Sequence, residues 1–185
     1  LALALHFAAA VHQLRGEPAA ALARSDAQVK LAGEEVLPFW MAGGQVWRAW
    51  ADLVGGNPEG LGGIMAGMGM WRGIGAELVV PHFLSLVVQA HLDTGALDAA
   101  QAAVTEALEA VERSNERYFE ADLHRLQGDV QLARGDADAA EASYRRAMEV
   151  ATGQGAGLFR LRAAMALAGV GHTEFLSETV KSSTQ

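Results

Sequence analysis

Six histidines, His6, His12, His82, His91, His124 and His172, are the residues of this 185-residue chain best suited to hold a metal or move a proton near neutral pH. Two ligands on one face of a helix stand about four residues apart, and no histidine pair has that spacing. The chain has no cysteine, which excludes thiolate metal sites and disulfides and fits a reducing, cytoplasmic location. Glu34 with Glu35, and Glu106 with Glu109, are carboxylate pairs of the kind used in acid–base chemistry, but a helix end and a charged face are also where solvated acids sit. Gly60, Gly62 and Gly63 lack the lysine of a phosphate-binding loop, and Gly67, Gly69 and Gly73 lack the dinucleotide spacing. No nucleophile elbow is present. The reading is of a chain without a catalytic group, a metal site or a cofactor.

The aromatic and sulfur-bearing side chains concentrate instead in one region. Trp40, Trp47 and Trp50 fall within one expected helix, with Trp47 and Trp50 on one face, and both core packing and an aromatic binding platform fit that spacing. Beyond them, residues 59–75 carry seven glycines and Met65, Met68 and Met70. Each glycine costs a helix about 1 kcal/mol against alanine, so tertiary packing must restore this segment. Close backbone approach to neighbouring helices is one way; a mobile, methionine-bearing surface that rearranges on binding is another.

Composition limits the partners. Fourteen basic against 22 acidic residues give a formal charge of −8, which repels a phosphate backbone and argues against nucleic acid. The opening LALALHFAAAV lacks the basic flank of a secretory signal and reads as an ordinary helix. The longest apolar region, Leu61 to Val80, is broken by Arg72 and Glu77 and rich in glycine, so no membrane span is expected. The chain starts without methionine inside a helical pattern, as a piece of a longer protein would.

The elements that position these residues follow from a repeat. Gly16, Gly56, Gly95 and Gly135 sit in four short loops at spacings of 40, 39 and 40 residues, each between two helical stretches. Pro18, Pro38, Pro58 and Pro81 each fall in the first turn of a helix, where a missing N–H does no harm. The expected fold is all-α, an α-solenoid of antiparallel helix hairpins at about 1–32, 38–72, 78–113 and 117–151, with a partial fifth at 158–171. Together these form a repeat domain over residues 1–171, followed by a tail, 172–185, that is partly disordered or a short capping helix. Periodicity is plainest in the fourth hairpin, where Phe119, Leu123, Leu126 and Val130 form one stripe and Ala140, Tyr144, Ala147 and Ala151 another.

Counted from its loop glycine, the fourth period has Gly128 seven before, Ala140 five after, Tyr144 nine after and Ala147 twelve after, which resembles the tetratricopeptide repeat. The third period keeps Gly95, Ala100 and Ala107 but has Val88 and Val104 where small and aromatic residues are usual. The second keeps Ala49 and replaces the rest with Leu61, Met65 and Met68; the first retains Ala9 and Ala21. Segments such as PFWMAGGQVWRAWA and ERYFEADLHRLQGDVQLARGD are similar to the C-terminal repeats of bacterial multidomain signalling ATPases and of adenylate cyclase-type or LuxR-type transcriptional regulators. The resemblance covers Gly16 to about Val170 and implies a right-handed superhelix. It implies no chemistry of the cyclase or ATPase domains, which this chain lacks.

Polar residues interrupt the first helix of each hairpin at related positions. His82, Ser85, Gln89 and Asp93 do so in the third and Asp122, Arg125 and Asp129 in the fourth, with His6, Gln13 and Trp50 corresponding to them earlier. Stacked hairpins align these into one strip. By the resemblance the strip lines a concave groove and contacts a ligand; plain solvation of an outward face explains it as well.

The function expected is that of a non-catalytic protein-interaction and regulatory module in bacterial signal transduction, binding a peptide, a partner protein or a sister domain of its parent. The alternative is a small-molecule effector sensor built on an apolar pocket at the Trp and Met residues of the second hairpin. Uncovered solenoid ends expose apolar surface, so a homodimer through them is a further possibility, with the tail segment HTEFLSETV placed to cover one end.

Overall fold

The computed structural model describes the backbone of residues 1–182 and the side chains of residues 1–170. Among the described residues the chain is all α. In order, the helices are α1 (Ala2–Leu14), α2 (Pro18–Glu34), α3 (Pro38–Val54), α4 (Gly60–Gly73), α5 (Val80–Asp93), α6 (Leu97–Ser114), α7 (Glu120–Ala133), α8 (Ala137–Gly153) and α9 (Gly157–Ser182). No helix among the described residues is long and apolar enough to cross a membrane.

One loop geometry recurs. At Gly16 the chain turns left-handed (φ 69°), the Gly16 N–H bonds to the Gln13 carbonyl and the Glu17 N–H to that of His12. This is a Schellman cap, which satisfies carbonyls that a helix end otherwise leaves open. The same pair of bonds, with the same left-handed residue, closes α3 at Gly56, α4 at Gly75, α5 at Gly95, α7 at Gly135 and α8 at Gly155. At the end of α2 the left-handed position is taken by Val36 (φ 53°), and at the end of α6 by Asn115 (φ 55°). On the entering side, Pro18 and Pro38 open α2 and α3, while Pro58 lies in the turn before α4 and Pro81 is the second residue of α5. Asp136 caps α8 through its side chain, accepting from the Ala139 N–H at 3.0 Å.

The chain divides into two compact units, residues 1–87 and 88–185, with the division inside α5. In the first unit α1 packs on α2, α2 on α3 and α3 on α4, and α1 also reaches α3. Helices this long joined by turns this short can pack side by side only if they run antiparallel. Trp47, Trp71, Ile64 and Phe83 are fully buried there. Three of the glycines in α4 are explained by this packing: a Cβ on Gly60, Gly63 or Gly67 would collide with Leu53, Ala49 or Val46 of α3. Gly62, Gly69 and Gly73 face open space, and Met65 and Met70 are about half exposed while Met68 is buried.

In the second unit α6 packs on α7, α7 on α8 and α8 on α9, with α7 also reaching α9. Gly128 of α7 admits the Tyr144 ring of α8, which a Cβ would strike. Ala140, Tyr144 and Val170 form a cluster with Leu132 and Leu167, and Phe119 meets the Phe159 ring edge-on at 5.1 Å. Helix α9 runs on through positions expected in the tail to Ser182. Whether HTEFLSETV covers an end falls on side chains outside the described residues, as do positions 183–185 altogether.

Candidate functional site

In the first unit the polar residues turn inward. The buried stripe of α2 is Ala21, Ser25, Gln28 and Ala32, at steps of four, three and four, so a glutamine is carried into the core. His6 of α1 is buried beside it. The Trp47 indole N–H donates to His6 Nδ1 at 3.1 Å, and the Gln28 amide nitrogen lies 3.3 Å from the same atom while donating to the Trp40 carbonyl at 2.7 Å. An indole N–H can only donate, so Nδ1 is the bare nitrogen and the proton of the neutral ring sits on Nε2. That buried Nε2 has no partner, and neither has the Gln28 Oε1. Burial drives the His6 pKa down to about 4, so the ring is neutral at physiological pH.

Aromatic rings surround it. Trp71 stacks parallel to the His6 imidazole at 5.7 Å, and Trp40, Trp47 and Phe7 lie at 5.5 to 5.6 Å. Gly43 permits this: a Cβ there would come within 2.8 Å of both His6 and Trp71. Next to the imidazole is a cavity of about 260 Å³. Leu3, His6 and Phe7 of α1, Phe39 and Trp40 of α3 and Trp71 of α4 form its walls, with Leu78 and Val79 of the following loop. The Trp71 N–H is already spent on the Leu78 carbonyl at 2.8 Å.

The remaining first-unit members of the expected strip are also mostly interior. His82 is buried and donates from Nε2 to the Gln13 Oε1 at 2.8 Å. Ser85 is buried and returns its hydroxyl to the His82 carbonyl, and Trp50 is buried as well. His6 and His82 both approach Trp47, with ring centroids 5.5 and 5.0 Å away.

In the second unit Gln89 and Asp93 are exposed and joined to each other at 2.9 Å. Asp122, Arg125 and Asp129 form a network on α7. The Arg125 guanidinium grips both oxygens of buried Asp122, at 2.8 and 3.2 Å, and holds Asp129 at 2.5 Å. The Tyr144 hydroxyl of α8 donates to Asp129 at 2.8 Å, and Arg162 of α9 reaches Asp122 at 3.7 Å. Burial alone would lower the Arg125 pKa, but Asp122 and Asp129 outweigh it and push it up. Burial raises that of Asp129 despite the opposing pull of Arg125 and Tyr144. This arrangement ties three helices together; its charges face one another.

Of the ten strip residues, then, five are buried, three are partly buried and two are exposed. The residues the strip omitted are Gln28, Trp71, Tyr144 and Arg162. The first was visible, with Ser25, as a polar member of a four-three-four stripe; the others needed tertiary contacts.

The exposed apolar residues of α1 are ordered differently. Leu3, Phe7 and Val11, at steps of four, are 54, 50 and 53% exposed on a helix whose other side, Ala2, His6, Ala9 and Ala10, is buried. On α9, Leu158, Leu161 and Met165 form a similar exposed row. Among the described residues no three His, Asp or Glu side chains come together to hold a metal ion. Compared with known proteins, the chain matches no family model and no curated sequence.

Proposed function

We propose that the chain is a non-catalytic, tetratricopeptide-like interaction module, a right-handed solenoid that docks a partner helix or a sister domain of a bacterial signalling protein. The observation that carries this reading is the α1 stripe, Leu3, Phe7 and Val11, which stays half exposed although the helix packs firmly on α2 and α3. Apolar side chains at i, i+4 and i+8 match the i, i+3, i+4 and i+7 anchors of an amphipathic helix laid alongside. Covering the exposed half of the valine and the phenylalanine contributes roughly 0.7 to 1.5 kcal/mol each, so the three side chains together can anchor such a contact. The non-catalytic part is supported by the second-unit network, where Asp122 and Asp129 are balanced by Arg125 and Arg162. A cytoplasmic location belongs to the same reading and fits the lack of cysteine.

Parallel capture from a native extract, with the wild-type chain and with Val11→Asp as bait, tests it. A protein retained by the first and lost from the second is expected, because a carboxylate in the stripe would have to be desolvated unpaired. Equal retention would rule out the stripe as the contact. A second reading, effector sensing, draws on the cavity beside His6, which is apolar and bounded by the tryptophans of α3 and α4.

A further inference from the structure

We infer that the cavity between α1, α3 and α4 binds a small, uncharged, wholly apolar ring compound about the size of an alkylbenzene. This inference rests on the effector-sensing reading and names the class of ligand that such a sensor takes.

Size sets the first limit. At about 260 Å³ the cavity exceeds the roughly 150 Å³ that accommodates benzene in an apolar protein interior, and it falls short of the roughly 300 to 1,000 Å³ of sites for drug-sized molecules. One substituted ring fits it; a nucleotide does not.

Chemistry sets the second limit, because the surface the cavity offers is almost all carbon. Phe39 and Trp71 contribute rings whose centroids lie 4.0 Å apart, and Leu78 and Val79 add aliphatic wall. The nearby polar atoms are spent or sealed. The Trp71 N–H donates to the Leu78 carbonyl, the His6 Nδ1 accepts from Trp47, and the His6 Nε2 is shut away from solvent and so does not open onto a cavity that solvent enters. A ligand with a polar edge would give up its hydrogen bonds to water and receive none in return. No charged residue lines the cavity, so an anion has no counter-charge, and a cation drawn to the ring faces has no carboxylate beside it. An apolar ring gives up no hydrogen bonds and gains aromatic contact on several sides.

Leu3 and Phe7 line the cavity and also stand in the α1 stripe, so the two surfaces share side chains. Leu78 belongs to the cavity alone and Val11 to the stripe alone, and both are about half exposed. Substitutions at these two positions separate ligand binding from partner docking.

Ethylbenzene and ethylpyridine are isosteres that differ by a ring nitrogen. Calorimetric titration of the full chain with each, at a pH where that nitrogen is unprotonated, measures the cost of carrying one polar atom into the cavity. The expected result is saturable binding of ethylbenzene, about tenfold tighter than ethylpyridine, and no binding of tetramethylammonium. On adding ethylbenzene to the wild-type protein, the methyl resonances of Leu78 and Val79 should move while those of Leu158 and Leu161, which do not line the cavity, stay in place. Leu78→Asp should weaken ethylbenzene about tenfold or more, and Val11→Asp should leave it unchanged. Ethylpyridine or tetramethylammonium binding as tightly as ethylbenzene would overturn the apolar ligand class and leave effector sensing standing. Ethylbenzene binding that moves all four residues' methyls alike, or that survives Leu78→Asp undiminished, would overturn the cavity as its place. Binding of none of the three would overturn the cavity as a ligand site, and with it the effector-sensing reading that draws on it.

Discussion

His6 shows how much of a residue's role depends on what folds around it. In the sequence it is one of six scattered histidines and a member of the polar strip, and nothing in its neighbours along the chain announces the indole of Trp47 as its donor. Its burial predicts a pH response with a definite sign. The unfolded ring titrates near 6.5 and the folded ring at about 4, so between those values the unfolded chain binds more protons and acid favours unfolding. Stability is fully present above that window and falls as pH drops through it, by about 3 kcal/mol from this residue, with His124, also depressed by burial, acting in the same direction. Denaturant melts at pH 7 and pH 4 check the total, and an NMR titration of the imidazole with a midpoint near 6.5 would refute the assignment. Arg125 carries the second residue-scale prediction. Because it is the bidentate partner of buried Asp122, Arg125→Ala should destabilise the fold by about 3 kcal/mol or more, whereas Asp129→Asn, at the more exposed carboxylate, should cost less. Urea midpoints for the two variants test the order. Charge reversal at these positions would therefore remove structure, and a loss of binding there could not be assigned to a ligand contact.

At the scale of elements, the strongest sequence signals were those whose cause is local. The loop glycines at 16, 56, 95 and 135 are legible because a left-handed cap penalises a Cβ wherever it occurs. The cap of α2 was illegible for the same reason, since Val36 occupies the left-handed position against its own preference. Val36 is 81% exposed, so little packing opposes its replacement. Val36→Asn should raise stability by about 1 kcal/mol, read as an increase in the urea midpoint with an unchanged slope. An unchanged or lower midpoint would mean that the strain is absent. Gly128→Ala tests the opposite kind of glycine, one required by its neighbour. The added methyl meets the Tyr144 ring, and overpacking of this sort costs about 1 to 3 kcal/mol. Pairing it with Tyr144→Leu should recover part of the loss, a coupling that a double-mutant cycle measures. The glycines of α4 divide along the same line: 60, 63 and 67 are close contacts with α3, but 62, 69 and 73 face open space, and no packing argument accounts for them.

Across the whole molecule, the all-helical class followed from period and punctuation, while the location of the candidate sites did not. Alternation of apolar and polar residues along a helix tells which side is buried, but a buried polar residue and a solvated one look alike in it; hence His82, Ser85 and Asp122 read as a surface strip and stand inside. The apolar stripe of α1 is legible only in the negative, as leucine, phenylalanine and valine that stay half exposed. The account's central claim is that this stripe receives a partner helix. A photo-crosslinking phenylalanine analogue placed at Val11, with a control at exposed Lys30 of α2, tests that most directly in the native extract. A discrete adduct formed from position 11, absent from position 30 and lost when Leu3 is changed to aspartate, is the predicted result. Adducts of equal yield and pattern from both positions, or none from either, would contradict it.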